Sequence, residues 1–548
     1  MGFRIALFVF LACLHLTLCQ DAEHGSILVD GTQALAETDD NFICATIDWW
    51  PHDKCDYNYC PWGYSSVTNL DLSHPFLANA IRALKPLRIR IGGSLQDQVQ
   101  YEVGNLKSPC HPFQKMKGGL FGYSKGCLHM KRWDELNHFL NKTGAVVTFG
   151  LNALRGRHKI SKTVWGGDWD PTNAKDFISY TISKRHKIDS WEFGNELSGK
   201  GIGASVGAAQ YGKDLKKLKQ ILHTLYQNKK FKPSLIAPGG FYQKKWFDKL
   251  LQVSGSGTID VLSHHLYSLG PGSDEHLESK ILDPERLNKV KTIFSNLSES
   301  IQKYGPRTSA WVGEAGGAYN SGGRNVSNTF VDSFWYLDQL GIASRYNTKV
   351  YCRQTLIGGN YGLLNTATFT PNPDYYRQVA LLWHQLMGKS VLAASNDVFS
   401  PYLRTYAHCS KGRDGITSLL INLSNQTHFI LTVQDSKSLS GKNEEFKSIH
   451  EENSFFYHLK RTFSWVGNKG SDVTFREEYH LTPKDDNLRS QTMMLNGIPL
   501  ELTNDGEIPI LTPVQSNVHS PIYIAPLSIA FIVFPNFDAP ACSGHRKL

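Results

Sequence analysis

Short apolar runs alternate with amphipathic stretches along the chain from about residue 40 to about residue 390. Each run is rich in Val, Ile, Leu and Phe and is bounded by Gly, Asn or Pro. This is typical of strands buried on both faces of a parallel sheet. Eight such strands are predicted, in residues 42–49, 87–93, 145–153, 190–196, 234–240, 261–267, 309–316 and 350–359.

The segments between these strands have helical periodicity. In residues 211–227 an apolar stripe forms on one face while the lysines face water, and it consists of Leu215, Leu218, Leu222 and Leu225. Further amphipathic stretches occur in residues 73–84, 131–142, 284–303 and 374–387. Eight successive strand–helix units predict an α/β fold with a (β/α)8 TIM barrel over residues 42–390, and an open doubly wound sheet is the alternative.

Helical periodicity fades after about residue 390, and alternating strand patterns replace it. Candidate strands lie in residues 403–409, 415–424, 428–434, 455–466, 491–502 and 522–534. This pattern predicts a smaller C-terminal antiparallel β-sandwich over residues 391–548. The strand pattern in residues 26–37 predicts that the N-terminal segment 20–41 joins this β domain.

The first residues of the chain resemble a targeting segment. Arg4 precedes an apolar run from Ile5 to Leu18, and polar residues follow Cys19. This arrangement predicts a signal peptide over residues 1–19, because the run is too short to span a bilayer. A secreted protein of the extracellular space or cell wall is predicted. A vacuolar or lysosomal location, with peripheral membrane association left open, is the alternative.

Eight of the ten cysteines follow this segment, and an oxidising compartment favours disulfide bonds among them. The spacings of Cys55 from Cys60 and of Cys110 from Cys127 suit short loops, but the sequence leaves the pairing open. Five glycosylation sequons fit a secreted glycoprotein, at Asn141, Asn296, Asn325, Asn422 and Asn425.

Composition and charge narrow the function classes. Hydrophobic residues make up 41% and aromatic residues 11% of the chain, which excludes a disordered protein. The formal net charge of +9 is spread along the sequence, without a dense basic stripe that would predict a nucleic-acid partner. The sequence contains no CxxC or HExxH motif, and neither a metal nor a cofactor is predicted.

Two carboxylates at predicted strand ends carry the candidate chemistry. Glu196 follows Asn195 at the end of the fourth strand, and Glu314 ends the seventh. All strands of a parallel barrel end on one face, so both carboxylates should open into one cleft. A facing pair, one protonated and one ionised, suits glycoside hydrolysis. Glu192 is expected to point to the other face of the sheet.

Wider segments resemble the heparanase-like β-glucuronidase family, and in particular its plant members. The matching segments are 46–50 (TIDWW), 90–97 (RIGGSLQD), 148–154 (TFGLNAL), 191–199 (WEFGNELSG), 263–267 (SHHLY), 311–322 (WVGEAGGAYNSG), 353–364 (RQTLIGGNYGLL), 477–483 (EEYHLTP) and 495–502 (LNGIPLEL). The resemblance covers nearly the whole chain after the predicted leader. It implies a retaining hydrolase of β-D-glucuronosyl bonds, with Glu196 as the acid/base and Glu314 as the nucleophile.

The same resemblance implies a set of substrate-binding residues. Those that would line the sugar subsite are Asp48, Ser94, Asn195, Tyr319, Gln354 and Tyr361. His264 and Tyr267 would lie near the nucleophile. Asn320 and Ser321 replace a glycine pair that, in animal heparanase, helps to hold the uronate.

The implied substrate is a glucuronic-acid-containing glycan or a small glucuronide. Two alternatives stay open: a related barrel glycosidase for a neutral sugar such as a β-galactoside, and a non-catalytic carbohydrate-binding wall protein. The sequence predicts no oligomeric state.

Overall fold

The computed structural model describes residues 22–106, 109–375, 380–435, 475–503 and 506–546. The predicted signal peptide over residues 1–19 and the candidate strand in residues 455–466 lie outside these ranges. The described residues form a closed eight-stranded barrel and a large separate sheet. The predicted TIM barrel with an additional C-terminal β domain is therefore confirmed.

Eight parallel strands close the barrel, each pairing with its neighbours in chain order and the eighth with the first. They are Ile43–Ile47, Arg88–Ile91, Val146–Leu151, Ser190–Phe193, Ser234–Phe241, Val261–Leu266, Ser309–Ala315 and Thr348–Arg353. Nearly every residue in them is buried, since helices cover the outside and side chains fill the inside. The near-continuous apolar runs in the sequence reflect this double burial.

Ten α-helices lie in the described residues. They are α1 Pro75–Ala83, α2 Met130–Thr143, α3 Thr172–Ser183, α4 Ala208–Tyr226, α5 Lys244–Ser254, α6 Leu277–Ile281, α7 Pro284–Asn288, α8 Val290–Tyr304, α9 Phe330–Arg345 and α10 Ala380–Leu386. The predicted stripe on α4 faces the core through Leu215, Leu218 and Leu222. None of the helices in the described ranges is long and apolar enough to cross a bilayer.

The β domain is one twelve-stranded sheet that contains strands from both ends of the described chain. Its longer strands are Ala22–Asp30, Met387–Asn396, Leu403–Ser410, Ile416–Asn422, His428–Asp435, Phe475–Pro483 and Ser528–Phe534. The first of these pairs antiparallel with Met387–Asn396 but parallel with His428–Asp435. The described C-terminal strands pair antiparallel with one another, as predicted, and the N-terminal strand adds the one parallel pairing in this part of the structure because it inserts between two strands of opposite direction.

Helix α9 packs between the barrel and the β domain and is buried along almost its whole length. The Asp338 carboxylate of this helix accepts hydrogen bonds from Arg404 Nε at 2.7 Å and Tyr406 Oη at 2.5 Å. Gly341 lets the Tyr406 ring approach, since a β-carbon there would lie 2.5 Å from the ring. A polar network and close packing thus join the two domains.

All eight cysteines of the described residues form disulfides. The pairs are Cys44–Cys352, Cys55–Cys60, Cys110–Cys127 and Cys409–Cys542. The first of these links the first and eighth barrel strands, at the seam where the barrel closes. Disulfide bonding, predicted from the leader and the cysteine count, is confirmed, and the tertiary structure supplies the pairing.

The predicted glycosylation sites differ in accessibility. Asn141, Asn325 and Asn425 are exposed, and Asn296 is half-buried. Asn422 is fully buried, and its side-chain amide donates to the carbonyl oxygens of Thr427 and Ala525 at 2.8 and 2.9 Å. The expectation of a glycan on Asn422 conflicts with this structure, because both amide hydrogens are used inside the fold.

We expect glycan mapping by mass spectrometry of the protein secreted from a eukaryotic host to find modification at Asn425 and none at Asn422. The two sequons lie three residues apart, so the same peptide carries its own control. A glycan found on Asn422 of the folded, active protein would contradict the burial of this side chain.

Candidate active site

Glu196 and Glu314 face each other at the end of the barrel where the strands terminate. Glu196 follows the fourth strand, Ser190–Phe193, and Glu314 is the penultimate residue of the seventh, Ser309–Ala315. One carboxylate oxygen of each lies within 4.8 Å of the other, and both side chains are buried. The predicted convergence of two residues remote in sequence is present in the structure.

The Glu314 carboxylate accepts hydrogen bonds from two different side chains. Arg90 Nη1 donates to its Oε2 at 2.9 Å, and Tyr267 Oη donates to its Oε1 at 2.7 Å. Tyr267 therefore lies where the family resemblance implied. A cationic donor on one oxygen and a neutral donor on the other thus hold this carboxylate in position.

Arg90 binds three acceptors from two other barrel strands. Besides Glu314, its Nε donates to Glu192 Oε2 at 2.7 Å and its Nη2 donates to Asn195 Oδ1 at 2.8 Å. Glu192 points into the barrel and not to the outer face, so that expectation was wrong. Trp191 and Phe193 on either side of Glu192 pack on the outer helices, so strand alternation turns Glu192 inward, where it is a partner for the buried guanidinium.

The Asn195-Glu196 turn is held by backbone contacts. Asn195 donates its backbone N–H to Asp97 Oδ2 at 2.8 Å, and Asp97 Oδ1 accepts the Ala153 N–H at 2.7 Å. Glu196 has a left-handed φ of 55°, and its N–H donates to the Gly239 carbonyl at 2.7 Å. A non-glycine residue in this region is strained and needs the surrounding structure to hold it.

His265, and not His264, contacts the Glu196 carboxylate. Its Nδ1 lies 3.0 Å from Glu196 Oε1. His264 is buried on the other side of the strand, where its Nδ1 bonds the Trp311 carbonyl at 3.1 Å and its ring packs on Phe294. The family-derived placement of His264 near the nucleophile was wrong because adjacent strand residues point to opposite faces.

Asp48 and Gln354 form a second polar cluster beside Glu314. Gln354 Nε2 donates to Asp48 Oδ2 at 2.8 Å, and Thr46 bonds the other end of the same amide. Asp48 Oδ1 also accepts the Trp49 N–H at 2.6 Å. Asp48 and Gln354, which directly follow the first and eighth strands, thus form a hydrogen-bonded pair in the predicted sugar subsite.

The remaining predicted residues lie around the mouth of the barrel. Ser94 is half-buried and follows Gly93, where a β-carbon would lie 2.3 Å from Asp48 Oδ2. The Tyr361 and Tyr267 rings both flank Gly316, where a β-carbon would lie 2.9 Å from each. Tyr319 is 42% exposed and stands at the rim.

The loop that follows Tyr319 has an unusual backbone. Asn320, Ser321 and Gly322 have consecutive left-handed φ angles of 56°, 70° and 77°. Ser321 Oγ accepts from Trp62 Nε1 at 2.8 Å and donates to Asp56 Oδ2 at 2.5 Å. The Ser321 side chain thus bonds the loop after the first strand, and these contacts stabilise a left-handed backbone that is otherwise typical of glycine.

Burial shifts the pKa values of three groups in this site. It raises the pKa of Glu196 to about 7, and the Arg90 charge only partly opposes this effect. Burial, followed by repulsion from Glu314, raises the pKa of Asp48 to about 7. Burial lowers the pKa of His265 to about 3, so its contact with Glu196 is a hydrogen bond to a neutral imidazole.

Arg90 and Asp97 were given no role in this site from the sequence, and of the adjacent His264 and His265 only the first was assigned to it. Arg90 and Asp97 lie inside segment 90–97, which the family resemblance had marked without assigning them a role. A charged residue in an otherwise apolar strand was the available signal for Arg90, since a buried charge requires a partner.

A barrel of this kind with two buried carboxylates facing across its mouth defines the class: the protein is a glycoside hydrolase. The chain belongs to glycosyl hydrolase family 79, and the pattern described as "Glycosyl hydrolase family 79, N-terminal domain" matches residues 24–341. The resemblance to the heparanase-like family is thereby confirmed.

Relatives of known name support this assignment over the whole length. The chain is 60% identical to Heparanase-like protein 1 of Arabidopsis thaliana, over 99% of this chain and 100% of the relative. It is 38% identical to Baicalin-beta-D-glucuronidase of Scutellaria baicalensis, over 91% of this chain and 90% of the relative.

A solved structure shares the fold at low sequence identity. The GH51 arabinofuranosidase from Xanthomonas axonopodis pv. citri has a TM-score of 0.62 and 14% identity, over 93% of this chain and 99% of that one. This likeness concerns the architecture alone.

We expect kcat/KM for an aryl glycoside substrate to fall above about pH 7. Hydrolysis needs one protonated carboxyl, and Glu196, with a pKa raised from 4.5 to about 7, is protonated below that pH. The measurement is the pH dependence of kcat/KM. In the Glu196→Gln variant the fall above about pH 7 should be absent. Asp48→Asn is the matched control, because Asp48 has a similarly raised pKa. If the fall in kcat/KM above about pH 7 disappeared only in Asp48→Asn, the titrating group would be Asp48 and not Glu196.

Proposed function

We propose that the protein is a secreted retaining β-glucuronidase that hydrolyses β-D-glucuronosyl bonds of acidic glycans or small glucuronides. Glu314 is the nucleophile and Glu196 the acid/base. The observation that carries this proposal is the pair of carboxylates within 4.8 Å of each other, with different hydrogen-bond partners. The relative named Baicalin-beta-D-glucuronidase adds support for the sugar.

The spacing supports a double displacement. Retaining enzymes hold their carboxyl groups about 5–5.5 Å apart, whereas inverting enzymes leave about 6.5–9.5 Å for a water molecule. The short separation here lets Glu314 attack the anomeric carbon directly. Glu196 gives its proton to the leaving oxygen and later removes a proton from the water that releases the sugar.

The neutral His265 suits both halves of that cycle. As a neutral ring it accepts a hydrogen bond from protonated Glu196 at Nδ1 in one tautomer and donates to the ionised carboxylate in the other. Arg90 donates hydrogen bonds to both Glu314 and Asn195 and so fixes the positions of these two residues relative to each other. The Asn195 side-chain amide is then oriented toward the sugar, where a bond to the 2-hydroxyl strengthens as the oxocarbenium ion forms.

The loop of Asn320, Ser321 and Gly322 supports recognition of a uronate in place of a neutral sugar. Asn320 and Ser321 keep the left-handed backbone and the backbone N–H groups that a glycine pair would supply, and these N–H groups are the proposed donors to the carboxylate. The loop lies against Tyr361, since a β-carbon at Gly322 would lie 2.8 Å from that ring. Replacement of two glycines by Asn320 and Ser321 therefore keeps the backbone donors that a carboxylate needs.

Four disulfides and exposed sequons support the proposed secretory route, because disulfides persist in oxidising compartments. Both carboxylates and their donors are in place, which favours an enzyme over a non-catalytic binding protein. A neutral-sugar glycosidase remains the second candidate, and the substrate comparison below separates the two.

We expect kcat/KM for an aryl β-D-glucuronide to be about 100-fold or more higher than kcat/KM for the matching β-D-glucoside. The reason is that each charge-assisted hydrogen bond to the carboxylate contributes about 1.5–3 kcal/mol. The two substrates differ only at C6. Asn320→Gly/Ser321→Gly, which leaves the N–H groups, should keep the preference. Equal rates on both sugars, or on a galactoside, would overturn the assignment to a uronate.

We expect Glu196→Ala to hydrolyse 4-nitrophenyl β-D-glucuronide slowly and to be accelerated about 10-fold or more by azide, which needs no general base. The product should be the β-glucuronosyl azide, by net retention. Glu314→Ala should form no β-azide. Glu299→Ala, an exposed carboxylate on α8, is the control that should match the native enzyme. An α-azide from Glu196→Ala would disprove the nucleophile assignment.

A further inference from the structure

A cavity of about 490 Å³ lies between the barrel and the β domain. Helices α8 and α9 form its barrel side, and strands Met387–Asn396 and Leu403–Ser410 form the other. Its lining includes Lys291, Arg345 and Arg404, together with the rings of Tyr346 and Tyr406. It shares no lining residue with the carboxylate cleft described above. Interfaces between domains are frequent positions for small-molecule sites.

Positive charge in this cavity exceeds negative charge. The carboxylate that faces the three cations is that of Asp338, and it accepts from Arg404 Nε at 2.7 Å, Arg404 Nη2 at 3.3 Å and Tyr406 Oη at 2.5 Å. Arg345 Nη2 donates to the Ala394 carbonyl at 2.6 Å, which carries no net charge. One carboxylate against three cations leaves an excess of two positive charges.

Besides Arg345, Lys291 is a cation of this cavity that forms no ion pair with a carboxylate of the described ranges. It is half-buried on α8, and no carboxylate oxygen of the described ranges lies within 4.0 Å of its ammonium. Burial, and next the charge of Arg404, lower its pKa. The Asp338 charge opposes this effect in part, but Asp338 is bonded to Arg404, so the two guanidinium groups and the ammonium together favour a ligand that supplies negative charge.

We propose that this cavity is a second ligand site, for a small dianionic compound that carries carboxylate, sulfate or phosphate oxyanions. Arg345 and Lys291 contact the oxyanions, and Arg404 is held in place by Asp338 at the back of the site. The apolar part of the ligand packs on Tyr346, Tyr406 and the exposed Leu35. The site is independent of glycoside hydrolysis, so it stands whatever sugar the catalytic cleft takes.

Calorimetric titration of the full chain with sodium sulfate, sodium phosphate or sodium malonate tests the site, with sodium chloride at matched ionic strength as the reference. We expect one equivalent of at least one dianion to bind. Lys291→Met should weaken that binding about 10-fold or more, and Lys291→Arg should restore it. Lys216→Met, which removes an exposed lysine on α4, is the matched control and should bind as the native chain does.

Hydrolysis of an aryl glycoside in the absence of the dianion should be unchanged in all three variants. This readout also reports that each variant is folded. The proposal is overturned if none of the three dianions binds beyond the chloride reference, or if Lys291→Met binds them as tightly as the native chain.

Discussion

The Arg90 guanidinium, on the second barrel strand, is the contact on which the catalytic face depends. It bonds Glu192 and Asn195 from the fourth strand segment and Glu314 from the seventh. A buried cation is tolerated only when its donors meet acceptors, and two carboxylates meet this need. The same bonds position Glu314, which is one of the two facing carboxylates, and Asn195, the residue before the other. Burial of one charge thereby sets the geometry of the pair.

Two carboxylates in one cavity have different chemistry because their neighbours differ. Glu314 accepts from a guanidinium and from a phenol, whereas Glu196 touches a neutral imidazole and lies among buried groups. Burial then raises the pKa of Glu196 to about 7, while the hydrogen bonds from Arg90 and Tyr267 hold the Glu314 carboxylate in position. Two identical side chains a few ångströms apart thus have different surroundings.

Strands were easier to predict than helices in this chain. All eight barrel strands were visible as apolar runs, because both faces of a parallel barrel sheet are buried. Helix α9 was not predicted, since it is buried on all sides between the barrel and the β domain and has no polar stripe to reveal its period. The parallel pairing of the N-terminal strand was likewise hidden, because it depends on strands about 370–400 residues away.

The sequence by itself determined that Glu196 and Glu314 lie on one face, because every strand of a parallel barrel ends there and both residues follow apolar runs. Only the tertiary structure decided which neighbouring side chains join them. His264 and His265 alternate across the sixth strand, so only His265 faces Glu196, and Glu192 faces inward because Trp191 and Phe193 pack on the helices outside the barrel. A one-residue slip reverses every side chain of a strand, and the strand's own sequence does not specify its register against its neighbours.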